Sequence, residues 1–170
     1  MNSRRRVNSI VRPLENMFMQ ALLILFMLVN GAVTFGQTKS FVSPHKGIRA
    51  QIVPVGSESR VDIRSSSGVL LRRKDFTSRD QNHGEGVDHA EWTSDGRFFV
   101  FTTSSSGGHQ PWHMATYFYS LRRNRFYSVD AIVGAVLSDF ALHGDLLSTT
   151  HMGINADDPK PVTLSLKRWR

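Results

Sequence analysis

The chain has 170 residues, enough for one domain, and a formal net charge of +7. It contains no cysteine, which excludes a disulfide scaffold and the lipid anchor of lipoproteins, because that anchor is attached to a cysteine. Part of the positive charge lies at the N-terminus: about +4 remains after removal of Arg4, Arg5, Arg6, Arg12 and Glu15. No basic run with interleaved aromatic residues is present, so we expect no nucleic-acid partner.

The N-terminal segment has the three parts of a secretory signal peptide. A basic stretch precedes an almost wholly apolar run at Met17–Val29, and small residues follow as far as Gly36. The apolar run is short for a membrane span, which needs about 20 residues. We therefore predict a signal peptide over residues 1–36, with the mature chain beginning between Val33 and Thr38. The alternative is an uncleaved inner-membrane anchor at residues 17–36.

The remaining residues, 37–170, have the pattern of a single all-β domain. Apolar and polar residues alternate in short runs that are separated by clusters of glycine, serine, asparagine and proline. The runs that predict strands are 48–55, 60–65, 69–73, 97–103, 115–122, 125–129, 145–150 and 162–169. A turn near Asp130–Val133 is the one helix candidate in this part.

One hairpin pattern occurs twice, at an offset of 48 residues. Residues 90–103 match residues 138–150, with Gly96 on Gly144 and Phe98 on Leu146. Each copy reads as strand, aromatic residue, glycine turn and strand, so we expect both glycines to adopt positive φ. A weaker third copy precedes them at residues 49–71. A period of 40–50 residues with several strands is the size of a propeller blade.

The first copy, "EWTSDGRFFVF" over Glu91–Phe101, resembles the core of TolB-like, WD-type β-propeller repeats of exported bacterial proteins. The second copy at Ser138–Thr150 matches more loosely. The resemblance implies that a tryptophan closes the first strand, an Asp-Gly pair makes the turn and the apolar run forms the second strand. It implies nothing about catalysis.

These patterns predict repeated antiparallel hairpins that form propeller-like partial blades. Closed propellers have about four to eight blades, whereas this chain supplies two clear copies and one weak copy. Self-association could complete the stack of repeats, and a β-sandwich is the alternative fold.

Two loops hold the residues that a function would use. The first is residues 104–117, which contain His109, Trp112, His113 and Tyr117. The second is the lead-in at residues 83–92, with His89 and Glu91. We expect these six residues to form a binding surface for a protein or glycan ligand, since exposed aromatic rings beside polar groups can stack on sugars.

The alternative is a metal site, because histidine and carboxylate side chains are zinc ligands. Its candidate ligands are His89, His109, His113 and Asp88, with zinc as the possible metal, and it would make the chain a metal-dependent hydrolase that uses His89, His109 and His113. Their spacing matches no metal signature, and Pro111 argues against one helix carrying both loop histidines. No G-x-S-x-G motif or cysteine nucleophile is present, so no catalytic residue and no resident cofactor are expected.

Trp112 separates two structural interpretations of the loop. Packed beneath the loop, it would contribute about 3–5 kcal/mol to stability, more than either histidine. Exposed, it would belong to a ligand platform. The sequence favours the packed position, and it predicts an exported, periplasmic or extracellular binding or scaffold module without enzymatic activity.

Overall fold

A computed structural model describes residues 36–45, 47–152 and 158–170 of the chain. The predicted signal peptide lies outside these residues, apart from Gly36. The described part is almost entirely β, as the alternating pattern predicts, and it forms three antiparallel sheets. No described helix has both the length and the apolar character that crossing a bilayer requires.

Each sheet is a meander in which strands that follow one another in sequence pair side by side. Sheet 1 contains β1 (Lys39–Val42), β2 (Arg49–Val55), β3 (Glu58–Arg64) and β4 (Leu70–Asp75). Sheet 2 contains β5 (Glu85–Trp92), β6 (Phe98–Ser105), β7 (Ala115–Ser120) and β8 (Arg125–Ser128). Sheet 3 contains β9 (Ala141–His143), β10 (Leu146–Met152) and β11 (Pro159–Ser165).

Sheet 2 is the middle layer of a three-layer stack. One core lies between sheets 1 and 2, where Ile52 and Ile63 meet Phe99 and Phe101. The other lies between sheets 2 and 3, where Phe98 and Val100 meet Leu147. Both faces of β6 are therefore covered, which explains why all of its first six residues are buried.

Three hairpins have a positive-φ glycine in their turn. Gly96 connects β5 to β6 with φ 64°, and Gly144 connects β9 to β10 with φ 65°. Gly56, between β2 and β3, has φ 62° and belongs to the weaker third copy. The predicted positive φ of Gly96 and Gly144 is confirmed. There are three sheets among the described residues, where a sandwich would have two.

The predicted turn near residue 130 is a short helix, α1 (Asp130–Val133). The strand predicted over 162–169 was too long. β11 ends at Ser165, and Leu166–Trp169 form a 3-10 turn. The reason is tertiary: Leu166 is completely buried in the core between sheets 2 and 3, and its N–H donates to the carbonyl of Asp145.

Candidate functional site

The two loops that the sequence singles out meet at one cavity of about 180 Å³. We call it the histidine pocket. The lead-in contributes His83 and Glu85, and the 104–117 loop contributes His109 and His113. Its full lining is His83, Gly84, Glu85, Thr103, Ser105, His109, Gln110, His113 and Ala115.

A buried carboxylate holds the first wall of the pocket. Glu58, at the start of β3, is 1% exposed, and its oxygens accept hydrogen bonds from the backbone N–H groups of Ser78 at 2.5 Å and Gly84 at 2.6 Å. The Ser78 hydroxyl donates at 2.5 Å and the Ser106 hydroxyl at 3.1 Å. Burial acts to raise the pKa of Glu58, but these hydrogen bonds outweigh it and hold the pKa below its usual range.

Backbone contacts fix the two loops against each other. The Ser106 N–H donates to the carbonyl of Gly84 at 3.0 Å. A Cβ on Gly107 would come within 2.5 Å of the carbonyl oxygen of Asn82, so only glycine permits this approach. The rings of His83 and His109 stack across the junction with centroids 5.9 Å apart. The loops therefore form one preorganised wall.

Two carboxylates orient histidines of the pocket. Asp130, the first residue of α1, lies 2.6 Å from His113 Nε2 and accepts hydrogen bonds from the backbone N–H groups of Thr116 and Val136. Asp80 lies 2.5 Å from His83 Nδ1. Contacts with Ser78 and His83, and the backbone N–H of Asn82, lower the pKa of Asp80 to about 2. Each ring is therefore held through one nitrogen.

Glu85 brings negative charge to the pocket. Its Oε2 accepts a hydrogen bond from the Thr103 hydroxyl at 2.6 Å. Tyr117 is half-buried below, and burial, followed by the charges of Glu85 and Asp130, raises the pKa of Tyr117 to about 12. Lys74 Nζ lies 4.4 Å from the centre of the tyrosine ring, and Phe101 stacks on it at 5.5 Å. Tyr117 is thus part of the support and not a free stacking surface.

Trp112 is not where the sequence suggested. Its side chain is 48% exposed, so the expectation that it packs beneath the loop is wrong. Pro111 and Trp112 are at the exposed crest of the loop, between Gln110 and His113 of the pocket lining, and the ring lies 5.7 Å from that of His113. Periodicity could not reveal this, because the loop belongs to no strand whose faces alternate.

His89 and Glu91 of the predicted surface lie on the opposite face of sheet 2 from the histidine pocket. A β-bulge at Asp88, which is exposed, interrupts the register, so that His89 pairs with Thr102 on the side of sheet 3. His89 Nδ1 is 2.7 Å from Asp139 Oδ2, and the ring stacks on Phe140 at 4.6 Å. Glu91 pairs with Val100. Two other residues of the lead-in, His83 and Glu85, line the pocket instead.

The metal alternative requires donors around one point. His109 and His113 share a cavity, but His89 and Asp88 do not line it. In the described parts of the chain, no three histidine, cysteine, aspartate or glutamate side chains are arranged to hold a metal ion. The trio proposed for zinc is therefore not assembled.

A larger cavity, of about 450 Å³, lies at the other end of sheet 2 beside Arg97, Arg122 and Arg170. Two of these arginines face Asp95, with Arg170 Nη2 at 3.1 Å and Arg97 Nε at 3.6 Å from its Oδ2. This cavity is the larger of the two, but two of its three arginines already pair with Asp95. The histidine pocket instead combines imidazole, carboxylate and amide side chains from two loops.

No protein-family model matches the sequence, and comparison with curated proteins likewise finds no match. Among solved structures the chain is similar to a "putative conserved lipoprotein" from Clostridium novyi NT. The two share 14% identity, with a TM-score of 0.45 over 79% of this chain and 88% of that chain.

Proposed function

We propose that the chain is an exported binding module without catalytic activity, and that the histidine pocket with Trp112 binds a glycan. The observation that carries the proposal is the meeting of two sequence-distant loops. His83 and Glu85 lie in the same cavity as His109, Gln110 and His113, beside the exposed indole of Trp112.

The size and chemistry of the site favour a sugar over a protein segment. Pockets for drug-sized ligands measure about 300–1,000 Å³, and this cavity of about 180 Å³ suits one sugar ring. Carboxylate, amide and imidazole groups can pair with hydroxyls. An exposed indole offers an apolar face on which the C–H side of a ring can stack.

Two further points support a binding role for an exported repeat domain. Export is inferred from the basic, apolar and small-residue regions of residues 1–36. A positive-φ glycine turn joins the first two strands of sheets 2 and 3, and this shared turn supports the interpretation as TolB-like repeats. The hydrolase alternative needs His89 at the pocket, and that residue faces sheet 3.

A sugar panel tests the proposal directly. Trp112 is the exposed one among three tryptophans, so its fluorescence should change saturably when a ligand stacks on it. We expect Trp112→Ala to abolish the change and Glu85→Gln to weaken affinity, while both variants remain folded. Leu146→Ala, at an exposed leucine of sheet 3, is the matched control and should bind like the parent.

Two results would contradict the proposal. One is the absence of binding to every neutral, acidic and amino sugar of a glycan array. The other is binding that survives both Trp112→Ala and Glu85→Gln, since the ligand would then sit elsewhere on the chain.

A further inference from the structure

One end of sheet 1 has an unusual surface, which we call the basic tip. It comprises the turns that join β1 to β2 and β3 to β4, with the strand residues beside them. Across the outer face of the sheet, Val42 is opposite Arg49, Arg49 opposite Arg64, and Arg64 opposite Leu70. Directly opposed residues of antiparallel strands share a face, so these four side chains form one row.

The row and its adjoining turn expose apolar side chains. Val42 is 60% exposed, Leu70 is 41% exposed, and Val69, which precedes Leu70, is 61% exposed. Of the five large hydrophobic residues that are exposed in the described ranges, Val69 and Leu70 are adjacent at one edge of the row, and Val42 ends the same row about 14 Å away across the four strands. Scattered exposed apolar residues need no explanation, but a cluster marks an interaction site.

The strands and turns at this end of the sheet supply positive charge and almost no negative charge. No aspartate or glutamate occurs in residues 39–57 or 63–74, whereas both segments contain arginine and lysine. The carboxylate closest in register is Asp62, whose side chain is fully buried. Arg73 binds it at 2.6 Å and Arg64 at 2.9 Å, so its charge is used within the sheet. Arg49 is exposed beside Val42.

We propose that the basic tip docks on an anionic phospholipid surface. Arginines complement the headgroups, and each basic residue near such a surface adds about 1 kcal/mol, or roughly fivefold in affinity. The exposed valines and leucine decide between a membrane and a soluble polyanion. Aliphatic side chains contribute at the boundary of headgroups and acyl chains but have nothing to contact on a polyanion. This surface is separate from the histidine pocket and does not depend on its ligand.

Sheet 3 provides an internal control. Leu146 is 40% exposed, close to the exposure of Leu70. Its opposed neighbours are His143 and Ser165, and farther along the same face Ser148 and Thr163 hydrogen-bond to each other at 3.0 Å, so none of these neighbours is an arginine or lysine. An apolar side chain of similar exposure is thus available without the arginines.

The absence of cysteine allows a site-specific experiment on the full chain. Val69→Cys and Leu146→Cys are each labelled with an environment-sensitive fluorophore and mixed with vesicles of phosphatidylglycerol or of phosphatidylcholine. We expect the label at position 69 to brighten severalfold and shift to the blue with phosphatidylglycerol only. The label at position 146 should not respond. A retained apolar N-terminal segment would bring the whole chain to vesicles of either composition. Both labels would then be equally close to lipid, so a stronger response at position 69 than at position 146 still shows that the basic tip is the docking surface.

A charge reversal completes the test. Arg49→Glu in the Val69→Cys chain changes the local charge by two and should weaken the phosphatidylglycerol response about 30-fold. Arg79→Glu, at an exposed arginine between β4 and β5 at the other end of sheet 1, should leave the response unchanged. Equal responses at both labels, no response at position 69, or an equal response there to dextran sulfate without lipid would each overturn the proposal.

Discussion

The β5–β6 and β9–β10 hairpins share a turn and differ in their surroundings. Gly96 and Gly144 have φ values of 64° and 65°. A Cβ on Gly96 would lie 2.5 Å from Ser43 Oγ, which donates a hydrogen bond to the Gly96 carbonyl, whereas a Cβ on Gly144 would meet nothing within 4 Å. The local sequence sets the turn, and position in the stack sets how tightly the turn is enclosed.

The strands that follow these turns repeat the contrast. β6 is covered by sheet 1 on one face and by sheet 3 on the other, and its first six residues are all buried. β10 belongs to an outer sheet, where buried and more exposed residues alternate at its start. Residues at equivalent positions of the two hairpins can therefore contribute very different amounts to the free energy of unfolding.

The largest expected effect compares Phe98 with Leu146, which occupy the same place after the glycine. Phe98 is completely buried and Leu146 is 40% exposed. Phe98→Ala should lower the free energy of unfolding by about 3–5 kcal/mol, and Leu146→Ala by at most about 1 kcal/mol. Urea denaturation measures both. Similar losses would show that the two hairpins are enclosed alike.

Gly96→Val should be the next most damaging change. Valine meets a positive φ, which costs about 1–3 kcal/mol for a non-glycine residue, and its Cβ clashes with Ser43. We expect a loss of about 3 kcal/mol by thermal and urea denaturation. Combining it with Ser43→Gly should recover the steric part, and no recovery would mean that backbone strain alone accounts for the loss.

Gly144→Val isolates the conformational cost in open space. The same positive φ applies, but no neighbouring atom opposes the side chain. The expected loss is about 1–2 kcal/mol. A loss as large as that of Gly96→Val would remove the distinction between an enclosed and an open turn.

Lowering the pH should destabilise the segment that precedes β5 before it affects the β9–β10 hairpin. The folded-state pKa of Asp80 is about 2, below the unfolded value of about 3.9. The contribution of Asp80 to stability is therefore complete above about pH 4 and is lost as pH falls toward about 2. The lowered pKa of Glu58 acts in the same direction.

Amide exchange measured by NMR at several pH values tests this order. Protection of Asn82 and Gly84 should fall first, while Leu147 on β10 keeps its protection. Asp80→Asn should reduce the pH dependence at the lead-in. Simultaneous loss at all three amides would indicate global acid unfolding instead.

The smallest expected change in stability is that of Trp112→Ala. Because the side chain is 48% exposed, its loss should alter the free energy of unfolding by about 0.5 kcal/mol or less. A thermal melt alongside Phe98→Ala provides the scale. A loss of several kcal/mol would place the indole in the core and remove it from the proposed glycan site.

The site was only partly predictable, for reasons that individual residues show. His109 and His113 were identified by the glycine- and proline-rich loop around them, and they do line the pocket. His83 and Glu85 fall within the predicted lead-in but were not among the residues chosen from it, because their proximity to the other loop depends on Glu58, which is about 50 residues away from Ser106 in sequence. His89 was assigned to the wrong face, since the bulge at Asp88 has no clear sequence signal.

The alternation of apolar and polar residues determined the all-β class, and Gly96 and Gly144 determined two of the hairpin turns, because strand faces and positive φ are local properties of the chain. Tertiary structure decided the rest. The stacking of three sheets buried both faces of β6, and the carboxylates of Glu58 and Asp130 placed the pocket walls. The exposure of Trp112 likewise depended on what packs nearby, since a residue outside a regular strand has no periodic face to reveal its direction.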